Sequence, residues 1–209
     1  MTETLLAWNQ ALYLMINAPA APGSLIPGLA TFASEWLVYG IPALMMALWI
    51  WGLRARRTNL LAPALGAVIG LGLAALLGQA WFESRPFTVG LGHSLIPHVA
   101  DNAFPSDHAS LFWSLGAAVI ATRAAPAAGW AVVALGGAVG WARIYLGVYF
   151  PIDMAGAAGV ALAAGLIARE LAPAVQRRIA PAVNVLYERT LQRLHLPGAL
   201  FPRHANPAA

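Results

Sequence analysis

"ARIYLGVYFPID" fills positions 142–153, and its reading decides the fold of this chain. Apolar runs at 129–148 and 152–171 flank it. Each is close to the roughly 20 residues that cross the ~30 Å hydrocarbon core of a bilayer as a helix. The stretch is thus the tip of a helical hairpin. Only Arg143 and Asp153 of its twelve residues are charged, and a charge beside a membrane-like segment is costly enough to need a reason.

The same pattern repeats along the chain. Of 209 residues, 60% are apolar and 10% charged, against roughly a quarter charged in a soluble domain. Five long apolar runs, rich in Ala and Gly, lie at 27–53, 60–82, 108–121, 129–148 and 152–171. Before them, "LLAWNQALYLMINAP" at 5–19 carries Asn9, Gln10 and Asn17 and reads as a sixth, tilted span or as an interfacial helix. The expected fold is therefore all-α: a polytopic bundle of five to six transmembrane helices. Residues 1–175 form the membrane-embedded domain, and 176–209 form a tail that is amphipathic around "VNVLYERTLQRLHL" and disordered at its end.

Charge gives the orientation. All twelve basic residues are arginine, and they are dispersed rather than set in a stripe that tracks nucleic acid. "RARR" at 54–57, Arg123, and Arg169, Arg177 and Arg178 fall on one side if five spans alternate, which makes that side cytoplasmic and leaves the C-terminus there. With no cysteine, disulfides and thiol chemistry are excluded.

The loop at 82–109, "FESRPFTVGLGHSLIPHVADNAFPSDHA", then faces outward with the turn of the hairpin. Arg85, His93, His98, Asp101, Asp107 and His108 thereby meet Arg143, Tyr149 and Asp153. Paired arginines bind oxyanions through forked hydrogen bonds, and histidine transfers protons or attacks phosphorus, so the set reads as a pocket for a phosphate group. Asp107 also suits the first turn of a helix capped by Ser106. Glu35, an acid inside the first clear span, is a functional-site candidate by default. The spacing of His93, His98 and Asp101 matches no tight metal motif, and no metal or other cofactor is expected.

"RPF" at 85–87, "FPSDHA" at 104–109 and "ARIYLGVYFPIDMAG" at 142–156 resemble, in order, the three-part signature of the type 2 phosphatidic acid phosphatase superfamily. "SEWLVYGIP" and the long polar loop are similar to its bacterial undecaprenyl-diphosphatase (bacitracin-resistance) branch. The resemblance implies an enzyme of the bacterial inner membrane, its site on the external face, that hydrolyses undecaprenyl diphosphate or a related polyprenyl or phospholipid phosphate. It implies phosphate binding by Arg85, Ser106, Asp107 and Arg143, proton donation by His108, and orientation of the nucleophile by Asp153. Glu35, Gln79, His93 and His98 are further pocket candidates.

Two positions depart from the signature. Gly78 stands where the superfamily has lysine, with Gln79 the nearest polar residue. Tyr149 stands where it has the nucleophilic histidine, and phenols, which titrate near 10, are only about one part in a thousand ionised at neutral pH. Three readings stay open: turnover is impaired and the protein is a silent lipid-phosphate binder or carrier; Tyr149 is itself the nucleophile; or His93 or His98 attacks, or activates water, while Tyr149 shapes the pocket. The small-residue run "GAAGVALAAG" at 156–165 suits close helix contact, within the chain or between copies.

Overall fold

The computed structural model describes residues 2–51 and 54–195, and among them every regular element is helical. The helices are α1 (Glu3–Ile16), α2 (Leu25–Glu35), α3 (Leu37–Trp51), α4 (Arg54–Asn59), α5 (Leu61–Ala80), α6 (Asp107–Ala121), α7 (Pro126–Tyr145), α8 (Pro151–Ala174) and α9 (Ala180–Arg193). The all-α expectation holds. Met46, Val68, Leu76, Trp130, Leu162 and Leu166 are each 60–69% exposed around the perimeter. Water does not tolerate a belt of that size, whereas lipid tails cover it at no cost, so this is a membrane protein.

Fewer helices are long enough to cross than the sequence suggested. Three described helices qualify, at Arg57–Ala80, Pro126–Tyr145 and Pro151–Arg193, and a fourth does if α2 and α3, bent by 46°, are one span. Pro42 weakens α3 near that bend, because it has no N–H for the carbonyl four residues back. α6 has 15 residues, about 22 Å at 1.5 Å per residue, shorter than the hydrocarbon core. It is shielded from lipid by α5, α7 and α8, which pack around it.

Small residues set that packing. A Cβ on Gly165 of α8 would lie 3.1 and 3.2 Å from the backbone carbon and oxygen of Ala117, so only glycine lets α8 lie this close to α6. The small-residue run at 156–165 thus serves contacts inside the chain, with Gly156 against Phe104 and Gly165 against Ala117.

α1 has 14 residues, too short to span. Its polar residues latch it onto the loops at one end of the bundle. Asn17 Nδ2 donates to the carbonyls of His93 (2.9 Å) and Tyr145 (3.1 Å), and Asn17 Oδ1 accepts from the His93 amide at 2.7 Å. Asn9 Oδ1 accepts from the Ile152 amide at 3.0 Å. Tyr13, fully buried, donates to the Leu91 carbonyl at 3.3 Å and sets its ring edge-on to Phe150, 5.1 Å away.

At the other end, the helix expected to stop near 171 runs on through a π turn at Val175–Ile179 into α9, one 43-residue helix in all. At 1.5 Å per residue it is about 65 Å long, twice what the bilayer core needs. Arg57, 2% exposed, fastens this extension, with its guanidinium 4.4 Å from the Tyr187 ring and 5.8 Å from that of Trp49. The tail beyond 195 lies outside the described residues.

Candidate functional site

The loop at 81–106 and the turn at 146–150 meet at one end of the bundle, held by buried arginines. Arg85 precedes Pro86 and is therefore extended (φ −72°, ψ 151°), which turns its side chain under the loop. It is 3% exposed and donates through Nε to Asp101 Oδ1 (2.7 Å), through Nη1 to the Val148 carbonyl (3.0 Å) and through Nη2 to the Asn102 carbonyl (3.2 Å). Burial works against its charge, and the Tyr149 oxygen and Asp101 carboxylate more than offset it, so its pKa stands above the ordinary arginine value.

Arg143 lies in the last turn of α7, where a cation suits the negative helix end. It is 4% exposed, donating through Nη1 to Ser34 Oγ at 3.1 Å and through Nη2 to His98 Nε2 at 3.0 Å. Its buried Nε has no hydrogen-bond partner among the described residues. Tyr149, also buried, brings its ring near both guanidiniums, 4.6 Å from that of Arg85 and 5.0 Å from that of Arg143. The His98 ring stands edge-on to it at 6.4 Å.

A guanidinium has donors only, so His98 Nε2 is the acceptor of the Arg143 bond and carries the lone pair. Nδ1 then holds the hydrogen and donates to the Val99 carbonyl at 3.1 Å. Burial first, and then the positive charges of Arg85 and Arg143, lower the His98 pKa against smaller opposing effects of the Val99 bond and Asp101. The ring is neutral at neutral pH.

Ser106 caps α6: its Oγ accepts from the Ala109 amide at 3.5 Å, and its own N–H donates to the Asp153 carbonyl at 3.3 Å, joining second and third motifs. Asp107 is exposed in the first turn, where its charge favours the helix N-terminus. His108 lines a cavity of about 380 Å³ with Arg143, Glu35, Trp36, Val38 and Tyr39. The break between α2 and α3 supplies the last four. Glu35 is thus brought to the arginine and histidine that the sequence reading paired with phosphate.

Other candidates sit differently. Asp153 is fully buried and caps α8, accepting from the Phe150 amide at 2.7 Å through Oδ2, while Oδ1 has no hydrogen-bond partner among the described residues. Among the described hydrogen bonds none joins it to Tyr149. His93 is exposed and held through its backbone to Asn17. Gln79 is exposed on α5. Gly78 is occupied territory: its carbonyl accepts from Asn102 Nδ2 at 2.6 Å, and a Cβ there would lie 3.1 Å from the Phe104 oxygen. The site is therefore built without a lysine.

A second, apolar cavity of about 700 Å³ lies further along α3, lined among others by Ile41, Met45, Leu48, Leu115 and Val132. α3 is a wall of both cavities.

Sequence reasoning missed Ser34, Asn102 and the Val148 carbonyl, the partners that aim the two arginines. Ser34 was open to notice, as a hydroxyl beside Glu35 in an apolar helix. Backbone carbonyls carry no residue-type signal.

The chain is similar to several known proteins. YbjG of Escherichia coli (strain K12), whose name assigns it provisionally as an undecaprenyl-diphosphatase, is 31% identical over 159 residues, covering 76% of this chain and 78% of its own. Undecaprenyl-diphosphatase BcrC of Bacillus subtilis (strain 168) is 28% identical over 159 residues, covering 76% of this chain and 81% of its own. The crystal structure of Aquifex aeolicus LpxE shares the fold, with a TM-score of 0.63 at 23% identity over 81% of this chain and 99% of that one. Residues 59–177, more than half of the chain and the segment that holds all three motifs, match the PAP2 superfamily. The chain belongs to the PAP2 superfamily.

Proposed function

We propose that this protein is a bacterial inner-membrane lipid phosphatase that converts undecaprenyl diphosphate, or a closely related polyprenyl diphosphate, to the monophosphate and inorganic phosphate. The observation that carries the reading is the approach of Arg143 and His108 to one cavity at the capped N-terminus of α6. That cavity combines a fixed cation, a proton carrier and a helix end whose first amides bind anions. Relatives named as undecaprenyl-diphosphatases at 28–31% identity support the substrate class.

In this reading α2–α3, α5, α6, α7 and α8 are five crossings, the site faces outward and the C-terminus is cytoplasmic. The terminal phosphate sits against Arg143 and the Ser106-capped turn, Arg85 holds the loop that closes over it, and His108 protonates the bridging oxygen as the lipid phosphate departs. The isoprenoid tail leaves the head group along α3 and fills the apolar cavity.

One observation favours a second reading, a silent binder of lipid phosphates: the superfamily's nucleophile position holds Tyr149. The test is phosphate release from undecaprenyl diphosphate by the purified protein in detergent, beside a Tyr149→His variant and a phospholipid phosphate as comparison substrate. Release by the native chain supports the phosphatase. Release by the histidine variant alone supports the silent binder, and a preference for the phospholipid overturns the substrate assignment.

A further inference from the structure

We propose that His98, from the loop between α5 and α6, is the nucleophile that takes up the phosphoryl group, replacing the histidine that the superfamily places at 149. The inference rests on the phosphatase reading above and concerns how that reaction proceeds without a histidine in the third motif.

The geometry singles out one imidazole. Of the histidines in the described loops and bundle, His93 is exposed and tied only through its backbone, and His108 lies on α6 as the proton carrier. His98 alone turns a ring nitrogen onto a phosphate-binding arginine, with Nε2 3.0 Å from Arg143 Nη2. Its other nitrogen is fixed by the Val99 carbonyl at 3.1 Å, which sets the tautomer and leaves the lone pair on Nε2. A carbonyl thus does for His98 what a carboxylate does in a triad: it holds the ring and accepts its Nδ1 hydrogen.

Substrate binding frees this lone pair. A phosphate oxygen arriving at Arg143 displaces Nε2 as the acceptor, because a dianion accepts more strongly than a neutral ring. The phosphate is then held beside the freed nitrogen, and attack requires phosphorus within about 3–3.5 Å of it, the separation of a near-attack arrangement. Tyr149 cannot take that part where it lies. Its buried ring is engaged by two guanidiniums at 4.6 and 5.0 Å, and Asp153 Oδ2 accepts from the Phe150 amide instead of orienting the phenol.

The step balances. Nε2 of His98 attacks the terminal phosphorus, an N–P bond forms, and the bond from phosphorus to the bridging oxygen breaks. The electron pair leaves on that oxygen, which receives a proton from His108. The phosphorylated ring keeps its Nδ1 hydrogen. Water then attacks phosphorus and gives a proton to His108, the N–P bond breaks, and the pair returns to Nε2, restoring both histidines and releasing inorganic phosphate.

The experiment uses the full-length protein in detergent with undecaprenyl diphosphate labelled on its terminal phosphate, quenched within one turnover and mapped by peptide mass spectrometry. The expected result is an acid-labile, alkali-stable phosphate on the peptide containing His98. His98→Gln loses that label and at least about a thousandfold in turnover, while His93→Gln keeps both. Adding Tyr149→His to His98→Gln restores turnover by moving the nucleophile, a rescue that a merely structural role for His98 does not give. An acid-stable label on Tyr149, or native turnover in His98→Gln, overturns the proposal and leaves the phosphatase reading standing. Absence of release by the native chain where Tyr149→His alone is active overturns both.

Discussion

Arg85 and Tyr149 are in cation–π contact, with the guanidinium carbon 4.6 Å from the ring centre, and Arg143 approaches the same ring at 5.0 Å. Two buried cations near one ring repel, and the electron-rich ring that both approach lowers that cost. Cation–π contacts in desolvated settings contribute about 2 kcal/mol each. Tyr149→Leu removes them and raises KM by roughly ten- to a hundredfold, with a lower melting temperature, whereas Tyr149→Phe keeps the ring and changes KM by less than about threefold. Steady-state kinetics on the two variants check this. A Phe variant as impaired as the Leu variant would show that the hydroxyl, not the ring, matters.

Ser34 is the sole described partner of Arg143 Nη1, at 3.1 Å in a fully buried position. Ser34→Ala leaves a buried charged donor unpaired, a cost of about 1–3 kcal/mol. The expected outcome is a tenfold or greater loss in affinity for a non-hydrolysable diphosphate analogue, measured by titration calorimetry. Unchanged affinity shows that Arg143 is positioned by other means.

Asn17 holds α1 to both the loop at 81–106 and the end of α7 through bonds at 2.7, 2.9 and 3.1 Å. Asn17→Ala releases that clasp. Amide exchange at 91–98 and 145–149 then accelerates about tenfold, the equivalent of 1.4 kcal/mol, with α5 to α8 unaffected. Uniform acceleration across the bundle would mean that α1 supports the whole fold rather than the loops.

The pKa of His98 lies below the ordinary 6.5, chiefly through burial and then through Arg85 and Arg143. Above 6.5 the ring is neutral folded or unfolded and contributes nothing to pH dependence. Below it, the unfolded chain takes a proton that the folded site refuses, so stability falls from pH 6.5 down through the lower folded value. Thermal melts of the native protein against His98→Gln should therefore diverge below pH 6.5, with the native protein losing more. A difference that stays flat with pH contradicts a suppressed imidazole.

These residues also show what a sequence makes legible. The hairpin around 142–153, the burial of Arg85 and Arg143 at one end of the bundle and the approach of Glu35 to Arg143 follow from composition and spacing, because charges inside an apolar chain have few permitted sites. α1 was read as a poor span for the same Asn9 and Asn17 that turn out to be its clasps. Their acceptors are backbone groups, which no residue pattern announces. The hydropathy of α6 reads as a crossing but does not reveal that its 15 residues are enclosed by neighbouring helices rather than by lipid. The continuation of α8 to Arg193 was hidden by Pro173 and Pro181, which end most helices but are absorbed here by the π turn between them.

The central claim is tested most directly by timed release of inorganic phosphate from undecaprenyl diphosphate by the native protein and by Arg143→Ala. The account predicts one phosphate per lipid, undecaprenyl monophosphate as the other product, and a loss of at least about a thousandfold on removing the arginine. No release by the native protein, or equal release by both, would contradict it.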